Sequence, residues 1–170
     1  MAEQVESRTA ACVSVAWLVL INKPLYPLAI WALIGADAAT RSLTTLTLAP
    51  LFAAVPWLAR RTGYGARVAL PLAGLADTMF DAKVFGPASG TALFLVACGA
   101  LAMVGFPARE ARTARALVIA VFAAFVLLYG WPGAPLQAWP ADDLQRLSVL
   151  NAWSAASLAA FIGLRFAAAD

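Results

Sequence analysis

The sequence predicts an all-α fold, a polytopic membrane helix bundle with six transmembrane helices. Three observations predict it. First, 63% of the 170 residues are apolar and only 12% are charged, against roughly half and a quarter in soluble domains. Second, the apolar excess falls in blocks of about 17 to 24 residues, the length that crosses about 30 Å of hydrocarbon as helix. Third, most basic residues gather in the gaps between the blocks. A soluble bundle made from these blocks would leave several helices with no polar face for water.

In chain order, residues 1–10 read as a short polar tail. The first span covers 11–34 and is interrupted by Asn22-Lys23-Pro24-Leu25-Tyr26-Pro27. A loop from Gly35 to Arg41 follows. The second span, 42–59, contains Pro50 and Pro56 and ends at Arg60-Arg61. The third, 66–85, contains Asp77 and Asp81. Gly86-Pro87-Ala88-Ser89-Gly90 reads as a turn before the fourth span, 91–106. Pro107 to Arg115 is a charged loop, and the fifth span covers 116–129. A segment rich in Trp, Pro and Gly then leads through Ala141-Asp142-Asp143 to the sixth span, 144–167. Prolines inside spans are tolerated where neighbouring groups satisfy the freed carbonyls. No internal repeat divides the chain, so residues 1–170 form one domain. Ala36-Asp37-Ala38 mimics a leader cleavage site, but Glu3, Glu6 and the long, interrupted apolar run argue against a removed signal peptide.

Orientation follows from the basic residues. Six spans put Arg8, Arg60, Arg61, Arg67, Arg109, Arg112, Arg115 and Arg165 on one side. Arg41 and Arg146 lie on the other, with Lys23 and Lys83 within or near spans. The arginine-rich side is cytoplasmic by the positive-inside bias. The expectation is a bacterial inner-membrane protein with both termini in the cytoplasm. Trp57, Trp131 and Trp139 fall near span ends, where such rings anchor at the interface. The cytoplasmic basic loop suits anionic headgroups of the lipid bilayer.

The net charge of +3 is small and its carriers are dispersed, which argues against a nucleic-acid partner. Histidine is absent, which excludes bis-histidine haem, histidine-ligated zinc or copper, and imidazole relays. Cys12 and Cys98 lie in apolar segments and read as small buried hydrophobes. No cofactor and no metal set is expected.

Charges inside spans are costly and mark functional candidates. Lys23, Asp77 and Asp81 are the three here. Asp77 and Asp81 are four apart and share one helix face, bordered by Gly74 and Thr78. Lys23 lies about 12 residues into the first span and Asp77 about 11 into the third, so at ~1.5 Å per residue they reach similar depth. A Lys23–Asp77 pair would relieve two buried charges, with Asp81 a turn further out near Lys83. Asn22 and Tyr26 complete a polar pocket in the outer half of the bundle, open to the periplasm, between the first and third spans. The bland alternative is a fixing pair that binds nothing. Asn151, Ser154 and Ser157 form a polar stripe on the sixth span. It is expected to hydrogen-bond between helices, with a pocket wall as the alternative. The two carboxylates have the look of an acid/base pair, but no nucleophile, metal set or third group accompanies them, so no enzyme is expected.

The stretch Phe85-Gly86-Pro87-Ala88-Ser89-Gly90-Thr91-Ala92-Leu93-Phe94-Leu95, followed by Phe106-Pro107-Ala108-Arg109-Glu110, resembles six-helix membrane input (sensor) domains of bacterial signalling proteins. Those domains precede cyclase or histidine-kinase modules. The resemblance implies a sensory role. The sequence given stops at Asp170, directly after the sixth span, so the resemblance implies a stand-alone relative or one that works through a cytoplasmic signalling partner. The leading expectation is therefore a membrane sensory or ligand-binding module. A small transporter or channel subunit, working as a homo-oligomer, and a membrane scaffold or assembly subunit are the rivals.

Overall fold

The computed structural model describes residues 2–130 and 133–169. It is 88% helical, with no strand among the described residues. The α-helices are α1 (Ala2–Leu33), α2 (Ala36–Ser42), α3 (Ala49–Ala59), α4 (Gly63–Phe85), α5 (Phe94–Val104), α6 (Ala111–Gly130) and α7 (Ala141–Ala167). A 3-10 stretch, Leu43–Leu48, joins α2 to α3, so Ala36–Ala59 forms one continuous helical segment. Pro50 sits in the first turn of α3, where the 3-10 stretch gives way to α-helix, a position proline tolerates.

Several expected boundaries move. The polar tail is the first part of α1, because nothing between Ala2 and Asn22 breaks a helix. The loop expected from Gly35 to Arg41 is reduced to a sharp break at Gly35, whose φ of 134° only glycine adopts readily. The chain re-enters helix at once, with Asp37 in the first turn of α2. The charged loop 107–115 also shrinks. Ala108–Glu110 is a 3-10 turn and Arg112 and Arg115 already belong to α6.

Glu3–Leu33, Ala36–Ala59, Ala108–Gly130 and Ala141–Ala167 are long and apolar enough to cross a membrane. The other two expected spans differ for separate reasons. α4 is long but carries Arg67, Asp77, Asp81 and Lys83. Thr91–Val104 is apolar but reaches only about 21 Å at ~1.5 Å per residue. Both pack against several other helices. α1, α3, α5 and α6 all pack on α4, and α7 packs on α1 and α5.

The turn before Thr91 holds α7 close. Gly86 and Gly90 take φ values of 86° and 76°. A Cβ on Gly90 would come within 3.1 Å of the Ser148 backbone, so glycine permits this approach. Asn151 then donates to the carbonyl of Ser89 at 2.8 Å.

Apolar clusters close both ends of the bundle. One contains Val15, Phe52, Leu70, Leu101, Ile162 and Phe166. At the opposite end Ile30, Ala38, Val84, Phe85 and Leu147 pack under Tyr26 and Trp139. The segment after α6 is strapped over that second cluster. Lys83 Nζ donates to the carbonyl of Ala134 at 2.6 Å, Leu136 N–H donates to the carbonyl of Lys83 at 2.8 Å, and Arg41 donates to the carbonyl of Ala138 at 3.1 Å. Trp139 turns inward, 5.1 Å from the Phe85 ring. Trp57 is exposed as expected, beneath the guanidinium of Arg61. Trp131 lies outside the described residues.

Candidate functional site

Between the two apolar clusters lies a cavity of about 600 Å³, walled by α1, α4, α5 and α7 with Thr45 and Phe52 from the Ala36–Ala59 segment. Most of its wall is hydrocarbon, and its polar groups are concentrated around Lys23. All nine residues singled out from the sequence line it: Asn22, Lys23, Tyr26, Asp77, Thr78, Asp81, Asn151, Ser154 and Ser157.

Lys23 is 8% exposed and projects from α1 just before Pro24 and Pro27, where helical bonding is interrupted. Pro24 and Pro27 lack N–H groups, so they cannot donate to the carbonyls four residues earlier. Nζ of Lys23 donates to the carbonyl of Thr45 at 2.8 Å and to Asp77 Oδ1 at 2.5 Å. The pairing anticipated from matched depth is therefore present. Asp81 also faces Lys23, with Oδ2 at 3.7 Å. It does not lean on Lys83, which is occupied by the strap. One ammonium thus serves two carboxyl groups. Oδ1 of Asp81 is buried and has no hydrogen-bond partner.

The stripe on α7 divides in two. Asn151 is buried and acts as a brace, accepting from the Tyr26 hydroxyl at 3.1 Å while donating to Ser89. Tyr26 is further held edge-on against Phe85, with ring centres 6.1 Å apart. Ser154 and Ser157 differ from the packing expectation: they line the cavity and form no bond between helices among the described residues.

The apolar cluster under Trp139 and the strap cover the end toward which a periplasmic mouth was expected. The exposed lining residues lie on α1 and α7 instead, where Leu25 is 50% and Trp153 73% exposed. The mouth is on the flank of the bundle.

Sequence reasoning missed Thr45, Thr91, Cys98 and the apolar floor. Thr45 carried a signal: a Thr-rich stretch just before Pro50 inside an apolar span marks irregular helix with carbonyls available to a partner. The close seat of Cys98 against Gly74 had no such signal. A Cβ on Gly74 would lie 2.9 Å from Cys98 Sγ.

A second ionic cluster was misassigned. Arg67, counted among the cytoplasmic loop arginines, is 1% exposed inside the bundle. Its Nη2 donates to both carboxylate oxygens of Glu110, at 2.9 and 2.7 Å, and its Nη1 donates to Thr9 Oγ1 at 3.0 Å. Glu110 balances its charge, so Arg67 adds little to an orientation count.

Among the described residues no group of His, Cys, Asp and Glu is arranged to hold a metal. No family model, curated protein or solved structure matches the chain.

Proposed function

We propose that this chain is an integral membrane ligand-binding module of a sensory kind, and that its cavity takes an amphiphile. The observation that carries this reading is the cavity itself. A volume of about 600 Å³ falls in the range of roughly 300 to 1,000 Å³ typical of small-molecule sites. Its walls are largely hydrocarbon, and its one polar corner has two carboxyl groups for one ammonium. A head group that donates hydrogen bonds or carries positive charge completes that corner at Asp81 Oδ1. A carboxylate head would meet two acidic groups. The apolar body then lies along Val15, Leu101 and Phe161.

In this reading all six helical segments cross a bacterial inner membrane with both termini cytoplasmic. α4 is admitted because Arg67 pairs with Glu110 and Asp77 and Asp81 face Lys23 within the bundle, and Thr91–Val104 because it packs on α4, α6 and α7. The closed clusters at both ends favour binding over conduction through a pore. Ligand occupancy bears on α1 and α7, whose far ends meet through Ser7 and Ala169, and that end is where a cytoplasmic signalling partner would read it.

Thermal unfolding of the chain in lipid nanodiscs, titrated with dodecylamine or dodecanoate, tests the reading. Dodecylamine at a hundred times its Kd should stabilise by about 2.7 kcal/mol, and dodecanoate should not. Equal or absent effects from both would reject it.

A second reading rests on the unpartnered oxygen. In it, Asp81 takes a proton from a water admitted to the cavity, and that water attacks a cleavable bond of a bound amphiphile. Release of dodecanoate from its ethanolamine ester, lost on Asp81→Asn, would favour this over sensing.

A further inference from the structure

We infer that the cavity is loaded sideways from the bilayer, through a window between α1 and α7 with Asn22 and Ser157 as its polar sill and Trp153 as its leaf. The inference rests on the ligand-binding reading above and adds the route to that site.

α1 and α7 are tied by side-chain hydrogen bonds at two levels. At one end Arg165 donates to Ser14 at 2.8 Å and Ser7 donates to the carbonyl of Ala169 at 2.9 Å. At the other, Tyr26 meets Asn151, and Arg146 donates to the carbonyl of Leu33 at 2.7 Å. From Ser14 to Tyr26 is about 18 Å of helix at ~1.5 Å per residue. Over that stretch no hydrogen bond between α1 and α7 is found among the described residues. The cavity reaches the surface here. The exposed lining residues Asn22, Leu25, Trp153 and Ser157 all belong to α1 and α7, whereas Thr45, Phe52, Leu70 and Leu101 on the other elements are buried.

The residues at the mouth are chemically out of place for a helix flank in hydrocarbon. Asn22 and Ser157 are exposed, and both line the cavity. They stand well inside two helices that are long and apolar enough to cross a membrane. Elsewhere the exposed face of α1 is Trp17, Ile21, Leu28 and Trp31. Polar side chains facing lipid at mid-depth are unfavourable, so packing alone does not account for these two. Together with Ser154 they form a line of hydrogen-bonding groups from the surface toward Lys23 and Asp81. An amphiphile can therefore move its head group inward without first leaving the membrane. Among the described residues, the apolar clusters toward both ends of the bundle leave no comparable polar path from water. Trp153, 73% exposed on the rim, is large enough to cover the gap and is free of neighbours on its outer side.

A dodecylamine bearing a photoreactive diazirine at its tail end provides the test. The full chain in lipid vesicles is mixed with probe-loaded vesicles, irradiated at intervals, and the labelled residues are mapped by mass spectrometry. Wild type should acquire label on the cavity floor, at Val15, Leu101 or Phe161. Ser157→Trp, which fills the window, should slow that labelling at least tenfold. Trp153→Ala, which enlarges it, should speed it. Opposite signs cannot arise from general misfolding. Wild-type labelling of the floor with both variants unchanged, or both slowed, would overturn the window and leave the pocket standing. No floor labelling in wild type would overturn both. Label confined to Trp153 together with crosslinked dimers would show the gap to be an interface between copies of this chain.

Discussion

Arg67 and Lys23 are both cations inside the bundle, 1% and 8% exposed, yet their surroundings differ in a way that separates bracing from binding. Arg67 has one carboxylate, gripped through both oxygens, a threonine hydroxyl, and the Phe106 ring 6.0 Å from its guanidinium carbon. It ties α1, α4 and the Ala108–Glu110 turn together and lines no part of the large cavity. Lys23 faces two carboxyl groups and a carbonyl, and one carboxyl oxygen remains without a partner beside open space. Buried charge alone therefore does not mark a site. A carboxyl group without a full set of partners next to a cavity does, because a ligand can complete it.

The comparison predicts unequal costs of disruption. The largest belongs to the brace. Glu110→Ala leaves a buried guanidinium unpaired and should lower stability by about 3–5 kcal/mol, read as thermal unfolding in detergent. The Arg67→Met/Glu110→Leu double variant should regain most of this. A single-variant loss below about 1 kcal/mol would mean the pair is well solvated and the contrast is wrong.

Next come Lys23→Met and Asp77→Leu. Each strands a charge whose cost within hydrocarbon is roughly 2.5–3.5 kcal/mol on insertion scales. Asp81 remains to share Lys23 when Asp77 is lost, so Asp77→Leu should be the milder of the two. The double variant strands Asp81 alone, so it should recover part of the Lys23→Met loss but stay less stable than Asp77→Leu, in which Lys23 and Asp81 still pair. Strict additivity would show that the two side chains are not coupled, whatever their separation.

Asn151→Leu removes the link from α7 to Tyr26 and to the Ser89 carbonyl. Leaving those partners unsatisfied should cost about 1–3 kcal/mol. Asp81→Asn should be the gentlest change, within about 1 kcal/mol, since it weakens one 3.7 Å contact and leaves the 2.5 Å pair intact. Equal losses from Asp81→Asn and Asp77→Leu would remove the distinction between a paired and an available carboxyl group.

The two clusters also differ in how far the sequence revealed them. Lys23 and Asp77 were legible because each interrupts an apolar block and both lie at countable depth along helices running the same way. Their contact required only ~1.5 Å per residue and the cost of isolated charge. Arg67 was not legible, because the estimate of where the third span begins decided its reading. α4 starts at Gly63 and α1 at Ala2, so Arg67 sits a turn inside the bundle and Thr9 can reach it. Its partner Glu110 comes from a turn that looked like loop. The i, i+3 spacing of Asn151, Ser154 and Ser157 was visible, but their division into one brace and two cavity-facing hydroxyls depends on how α7 is rotated against α1 and α5. The cavity itself had no sequence signature. A void is what packing leaves, and it is set jointly by the irregular helix around Thr45, the Gly74–Cys98 approach and the separation of α1 from α7.

The account rests on Asp81 being held available for a ligand while Arg67 is held for the fold. Dodecylamine affinity in nanodiscs, compared between Asp81→Asn and Arg67→Met/Glu110→Leu, tests this most directly. Asp81→Asn should fold normally and bind at least about tenfold more weakly, a loss of ~1.4 kcal/mol. The double variant should bind as wild type does. Undiminished binding by Asp81→Asn, or equal weakening in both, would contradict the account.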